Sequence, residues 1–231
     1  MSGISPVRPV PDLRVLVQAR MNSSRFPGKV LAQLAGKPMI AHVLERCAAA
    51  FGKPAVILLT SLEPGDDPIA EHAEQSGFTV FRGELDDVAR RFQQCLVAYP
   101  CVWFVRISGD SPLIDPDLVR SVAASRAPAC DLVTNVQVRS FPAGQSVEVV
   151  RAARFAEIDT AALSAEEREH VTLVYYRQPE RFAILNLRSK DAGLGALHYA
   201  VDTPEDLARV EQLIRSGQVP KFSAALAHEV A

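Results

Sequence analysis

Ten consecutive residues, Arg20-Met21-Asn22-Ser23-Ser24-Arg25-Phe26-Pro27-Gly28-Lys29, gather three cations, three small polar side chains and a glycine directly behind an apolar run from Leu13 to Ala19. Small residues let backbone N–H groups approach phosphate oxygens, while Arg and Lys neutralise their charge. A polyanion such as a triphosphate suits that composition. A solvated basic surface loop suits it as well, and the position at a strand's end favours the anion site. Two acids complement the loop. Asp110 stands in Ser108-Gly109-Asp110-Ser111-Pro112-Leu113, just beyond a second apolar run, and Asp202 precedes Thr203-Pro204-Glu205-Asp206. Thr203 can cap the helix that Pro204 opens, with Asp206 at the capping-box position, so the Asp202 carboxylate is free for another task. Asp110 read alone is equally a turn or cap residue. If the two acids face one another they form a seat for Mg²⁺, which takes one or two carboxylates together with phosphate oxygens and water.

These segments need a scaffold that brings them together. Leu13–Ala19, Ala55–Thr60, Phe78–Phe81 and Val102–Ile107 read as buried strands. Helical periodicity lies between them. Met39, Ile40, Val43, Leu44, Cys47 and Ala48 form one stripe behind Pro38; Ile69, Ala70 and Ala73 follow Asp67-Pro68; Val88, Phe92, Cys95 and Leu96 form a third stripe; and Asp115-Pro116 starts a fourth helix. This β-α-β-α-β-α-β order predicts an α/β fold with a mostly parallel central sheet and helices on both faces. Beyond residue 130 the pattern predicts strands at Leu132–Val138, Val147–Val150, Phe182–Leu187 and His198–Val201. Helices are expected over Arg151–Ala162, Ala165–Tyr176 and Pro204–Ile214. The expected organisation is a flexible tail over 1–12, one domain over 13–216 with an inserted lobe near 136–190, and a C-terminal tail over 217–231. Open α/β sheets bind ligands at the carboxyl ends of their strands. Topology therefore puts the 20–29 loop, Thr60–Asp67, Ser108–Leu113 and Asp202 on one edge.

Composition excludes other classes. A formal net charge of -2 supplies no global field toward nucleic acid, and the 6% of aromatic residues do not interleave with a basic patch. No run approaches the ~20 apolar residues of a membrane span. The four cysteines, 47, 95, 101 and 130, show no C-x-x-C spacing and read as structural thiols in a reducing cytoplasm. Neither G-x-x-x-x-G-K-[ST] nor G-x-G-x-x-G follows a strand, and no zinc spacing or G-x-S-x-G elbow occurs.

Val17-Gln18-Ala19-Arg20-Met21-Asn22-Ser23-Ser24-Arg25-Phe26-Pro27-Gly28-Lys29, followed by Leu34-Ala35-Gly36-Lys37-Pro38-Met39, resembles the opening of the sugar-acid cytidylyltransferases. That family includes CMP-KDO synthetase, acylneuraminate cytidylyltransferase and the spore coat polysaccharide biosynthesis protein F group. The last group is the nearest in pattern through Asp66–Ala70, Phe81–Gly83, Ser108–Asp115, Glu167–Thr172 and Val201–Leu207. The resemblance implies a Rossmann-like nucleotide-diphospho-sugar transferase fold, with CTP and a sugar acid as substrates and a CMP-sugar and pyrophosphate as products. It implies a nucleotide site of Ala19, Arg20, Met21, Asn22, Ser23, Arg25, Lys29 and Ser108. Within it Arg20, Ser23, Arg25 and Lys29 take the triphosphate, and Ala19 with neighbouring backbone meets the cytosine. Arg20, Lys29 and Asp110 are the expected catalytic residues, Asp110 and Asp202 the ligands of Mg²⁺, and a homodimer the expected assembly. The acceptor is expected against Arg139, Gln145, Glu148, Arg168 and His170. Where the group often reads Asp-Gly-x-Asp-Val-Glu, this chain has Ala143-Gly144-Gln145-Ser146-Val147-Glu148. Two carboxylates are thus replaced beside the expected acceptor pocket. Ser108 stands where CMP-KDO synthetases commonly carry Gln, which points away from KDO as the acceptor. A nucleotidylyltransferase for another base or sugar phosphate, and a non-catalytic nucleotide-binding scaffold, are the alternatives.

Overall fold

The computed structural model describes residues 11–191 and 193–222, together with the backbone of 226–230. The first ten residues of the expected N-terminal tail lie outside the described residues. The strands are β1 Leu13–Gln18, β2 Gln33–Leu34, β3 Lys37–Pro38, β4 Val56–Ser61, β5 Thr79–Gly83, β6 Trp103–Ser108, β7 Leu132–Thr134, β8 Glu148–Arg151, β9 Ile184–Ser189 and β10 Leu226–Val230. The helices are α1 Met39–Phe51, α2 Asp67–Gln75, α3 Val88–Ala98, α4 Pro116–Ala124, α5 Ala152–Ala156, α6 Ala165–Glu169, α7 Leu173–Arg177 and α8 Pro204–Arg215.

Eight strands form one sheet in the order β10-β9-β7-β8-β6-β1-β4-β5, and β2 and β3 form a separate small hairpin. Strands β5, β4, β1 and β6 are parallel, β8 and β10 run against their neighbours, and β9 is parallel to β7. The mostly parallel sheet is as expected. Strand alternation assigns the two cores. Val15 and Val17 face one side with Ile40, Val43 and Leu44 of α1 and Leu118 and Val122 of α4. Leu16 faces the other side with Phe92 of α3, Phe104, Phe155 of α5 and Tyr175 of α7. Helix starts follow local chemistry. Asp87 and Asp115 accept from the backbone of Arg90 and Asp117, and Thr203 forms a capping box with Asp206. All four cysteines are free thiols, and burial pushes those of Cys47 and Cys95 up to about 12, so both act as packing groups. No helix among the described residues is long and apolar enough to cross a membrane.

Beyond residue 130 several expectations are corrected. The strand beginning at Leu132 ends at Thr134, and at Asn135 side-chain bonds join the one from its backbone N to Val147 O at 3.3 Å. Its amide donates to Gln145 O at 2.8 Å and accepts from Val147 N at 2.9 Å. His198–Val201 is no strand beyond a single bridge from His198 to Ala143. Its other backbone groups go to loops: Val201 N donates to Asp110 O, and Val201 O accepts from Lys29. The helix expected over Arg151–Ala162 divides into α5 and a 3₁₀ turn at Thr160–Ala162. That over Ala165–Tyr176 breaks at Val171, whose φ of 48° no α-helix accommodates. The segment 136–190, expected as an inserted lobe, is built into the main sheet. Its strands β8 and β9 join the main sheet, and α5 and α7 pack on one sheet face. Within the expected C-terminal tail, β10 pairs antiparallel with β9 at the sheet edge.

Candidate active site

The loop behind β1 is held from beneath. Gly28 turns the chain at φ 74°, a left-handed conformation that favours glycine, and its N–H donates to Met21 O at 2.9 Å. Asp66 follows β4 and is buried. One carboxylate oxygen accepts from Met21 N at 2.7 Å. The other accepts from the hydroxyls of Thr60 and Ser61 and from Ser61 N at 3.0 Å. Burial alone would push this carboxyl's pKa up; the hydrogen bonds from Met21, Ser61 and Thr60 outweigh it and hold the group below its ordinary value.

Lys29 lies at the centre of the site, 8% exposed. Its ammonium donates to Val201 O at 2.7 Å and to Asp202 Oδ1 at 3.0 Å, and Asp110 Oδ2 is 3.7 Å away. Arg25 also meets Asp202 Oδ1, at 3.0 Å. Two acids ninety-two positions apart therefore converge on one cation. The backbone bond from Val201 N to Asp110 O, 2.9 Å long, joins their segments. Thr203 caps α8 with Asp206, which leaves the Asp202 carboxylate available to the cluster.

Gly109 permits this approach. A Cβ there would lie 2.6 Å from Ala19 Cβ and 3.0 Å from Gln18 O, and its N–H donates to that same carbonyl at 2.8 Å. We expect Gly109→Ala to force the β6 loop away from β1 and cost about 1–3 kcal/mol, the scale of overpacking a rigid site. Thermal unfolding measures this, and an unshifted midpoint would show that the loops yield freely.

The cleft above these groups encloses about 360 Å³. Ala19, Arg20, Asn22, Ser23, Ser24, Arg25 and Lys29 line one wall. Gln18, Ser108, Gly109 and Asp110 come from the sheet edge, Val88 and Arg91 from α3, Arg106 from β6, Glu169 and His170 from the end of α6, and Asp202 from the start of α8. Five Arg and Lys side chains against three carboxylates leave the lining net positive, as a polyanion requires. Arg20 is paired with Glu169 across the cleft. Arg106 is held between Gln18 Oε1, at 2.8 Å, and the buried carboxylate of Glu148.

A profile of the cytidylyltransferase family matches residues 14–221. The chain belongs to the cytidylyltransferase family. The spore coat polysaccharide biosynthesis protein SpsF of Bacillus subtilis is 30% identical to it, with 93% of this chain and 91% of that protein covered. A 3-deoxy-manno-octulosonate cytidylyltransferase of Anaeromyxobacter dehalogenans is 29% identical over 88% of this chain and 98% of its own length. Among solved structures, a cytidylyltransferase from Leptospira borgpetersenii superposes with a TM-score of 0.84 at 26% identity, covering 89% of this chain and 87% of its own.

The structure places most of the expected nucleotide residues of this cytidylyltransferase, Ala19, Arg20, Asn22, Ser23, Arg25, Lys29 and Ser108, in one cleft with the expected metal ligands Asp110 and Asp202. Met21 does not. Its side chain packs against the core, and its contribution is the N–H given to Asp66. The expected acceptor set is largely displaced. Only His170 of that set lines the cleft. Gln145 is fully buried, and its amide is committed to Asp115 N at 2.9 Å and Leu113 O at 2.7 Å. Glu148 is buried beneath Arg106 and accepts from Thr172 and Tyr176. Arg139 is exposed on the turn after β7, and Arg168 lies outside the lining. Sequence reasoning missed Arg91, Arg106, Glu169 and the bracing Asp66. The signals were a lone cation within the apolar stripe of α3, an arginine inside a buried strand, and an acid in the turn that opens α2.

Proposed function

We propose that this protein transfers CMP from CTP to a hydroxyl of a sugar acid. The hydroxyl oxygen forms a bond to the α-phosphorus as the bond from that phosphorus toward the β-phosphate breaks. Pyrophosphate leaves, and the hydroxyl proton passes to solvent. The observation that carries this assignment is the convergence of Asp110 and Asp202 on the Lys29 ammonium beneath a cationic loop. Family membership and the name of the Anaeromyxobacter relative support the nucleotide and the acidic sugar.

A divalent ion fits the donor set. Among the described residues no group of three or more His, Cys, Asp or Glu side chains could hold a metal. Asp110 and Asp202 are both partly open to the cleft, and two carboxylates completed by phosphate oxygens and water match the demands of Mg²⁺. Such an ion would neutralise phosphate charge and orient the α-phosphate. The chain's own groups do the rest. Lys29 and Arg25 take phosphate oxygens, Arg20 exchanges Glu169 for the nucleotide, and the Asp66-braced loop offers preorganised donors. A cytoplasmic homodimer accords with this assignment, and sedimentation in solution tests the assembly.

Incubation with each of four nucleoside triphosphates, Mg²⁺ and a panel of sugar acids, read by pyrophosphate release, tests the proposal. CTP alone should support turnover. Turnover led by another nucleotide would replace the base assignment. CTP binding without turnover on any acid would make the protein a binding subunit.

A further inference from the structure

Arg106 reaches the cleft from within β6, and the protein fixes its plane. Nε donates to Gln18 Oε1 at 2.8 Å. Nη1 donates to Glu148 Oε2 and, at 3.3 Å, to the Thr172 hydroxyl. No residue among those described bonds Nη2. The side chain is 16% exposed, so this last nitrogen is what it offers a ligand. Glu148 is fixed in turn. Its other oxygen, Oε1, accepts from the Thr172 hydroxyl at 2.7 Å and the Tyr176 hydroxyl at 2.5 Å, and the Tyr176 oxygen meets Thr134 Oγ1 at 2.9 Å. A buried ion pair is by itself weak support for stability. Side chains from β1, β7, β8 and α7 instead serve to hold one guanidinium still, which is how a binding group is mounted.

Charge narrows the ligand. Arg106 and Glu148 together are neutral, so the pair supplies a directed donor rather than a field. The field comes from the 20–29 loop, whose Arg20, Arg25 and Lys29 are assigned above to the triphosphate. An acidic acceptor brings a second anion into the same cleft, and its carboxylate needs a cation not spent on phosphate. Arg91 and Arg106 remain in the lining. Arg91 stands over the end of β5, three strands from β6, and its Nε and Nη1 have no partner to fix them. Arg106 is fixed, and Thr172 bonds both members of its pair. That hydroxyl also fastens the turn that brings Glu169 and His170 to the cleft. The link between them is Val171, at a φ of 48° that is strained for a β-branched residue.

We propose that Arg106 Nη2 receives the carboxylate of the acceptor sugar acid, and that Glu148 is the positioning residue that holds it for that contact. This assignment rests on the transfer proposed above. An acid oxygen accepts a charge-assisted bond there. A neutral sugar, or an acid whose carboxylate is masked, leaves the donor without its partner, so the pair selects sugar acids over neutral sugars.

The test compares two acceptors in kcat/KM, with CTP and Mg²⁺: the panel acid that the wild-type protein turns over fastest, and the same sugar with its carboxylate converted to the primary amide. The proteins are wild type, Arg106→Lys and the double variant Arg106→Met with Glu148→Gln. The double variant removes both charges together and keeps at position 148 an oxygen for Thr172 and Tyr176, so no buried charge is left alone. Wild type should prefer the acid by roughly 10- to 10²-fold. The double variant should bring that preference within about 3-fold of unity, through the KM of the acid, while its CTP affinity in calorimetry stays within about 3-fold of wild type. Arg106→Lys keeps Glu148 paired but lacks the fixed plane, and should lower the preference by at least about 3-fold. An unchanged preference in either variant would overturn the proposal, as would a wild-type protein that treats acid and amide alike. So would a matching loss of CTP affinity, which marks a phosphate contact, or an equal fall for acid and amide, which marks a structural role. Absence of turnover on any acid by the wild-type protein would instead overturn the proposed function.

Discussion

Lys29→Met should lower kcat for CMP transfer by at least about 10²-fold, the scale of losing one preorganised charge partner at a reacting phosphate. The ammonium is 8% exposed and touches Asp202 Oδ1, Val201 O and, more distantly, Asp110 Oδ2. Removing it leaves two carboxylates without their common cation and a carbonyl without its donor. Those groups then repel each other and the incoming triphosphate. The same loss should raise the affinity of the nucleotide-free protein for Mg²⁺, because the acids regain a vacancy for positive charge. Single-turnover assays and metal titration of the same variant give two independent readings. Near-wild-type turnover would remove Lys29 from the catalytic set. Unaltered metal affinity would show that the acids do not act together.

The first half of the fold is legible because its elements are governed by side-chain period. Val15 and Val17 against Leu16 assign the two sheet faces, and the Ile40–Val43–Leu44 stripe assigns α1 to one of them. Lys29 and Asp110 follow from the same logic, since parallel topology gathers strand-end loops on one edge. Asp202 joins them from a segment that is no strand and is tied in by the bond from Val201 N to Asp110 O. Beyond residue 130 the structure depends on buried polar side chains whose partners are remote in sequence. Asn135 bonds across a loop just past β7, and Gln145 bridges Leu113 and Asp115. Gln145 and Glu148 were expected beside the acceptor, and their burial and their partners within the fold could not be read from the sequence pattern. The short helices α5, α6 and α7 gain little from intrinsic propensity and exist through packing, so their ends were not predictable from periodicity. Arg91 and Arg106 were missed for a related reason: both reach the cleft from within the fold, where a cation in an apolar pattern reads as an irregularity.

Asp66→Asn should cost about 2–4 kcal/mol of stability, the range for disrupting a buried, hydrogen-bonded charge network. The Thr60 and Ser61 hydroxyls can rotate to meet a new amide, but Ser61 N–H and Met21 N–H are fixed donors aimed at opposite oxygens. An amide answers only one of them and places its own NH₂ against the other. The loss extends to function, because Met21 N anchors the start of the phosphate loop; nucleotide KM should rise along with the loss in melting temperature. The pH dependence separates this mechanism from simple packing. The folded carboxyl titrates below its ordinary value, so its stabilisation is fully present above the unfolded pKa of about 3.9 and is lost as pH falls through the lower folded value. The wild-type protein should therefore lose its advantage over Asp66→Asn as pH drops below about 4, and the two unfolding curves should converge there. A gap that persists at low pH would mean that Asp66 acts through shape alone. Equal stability at neutral pH would mean that the loop needs no brace.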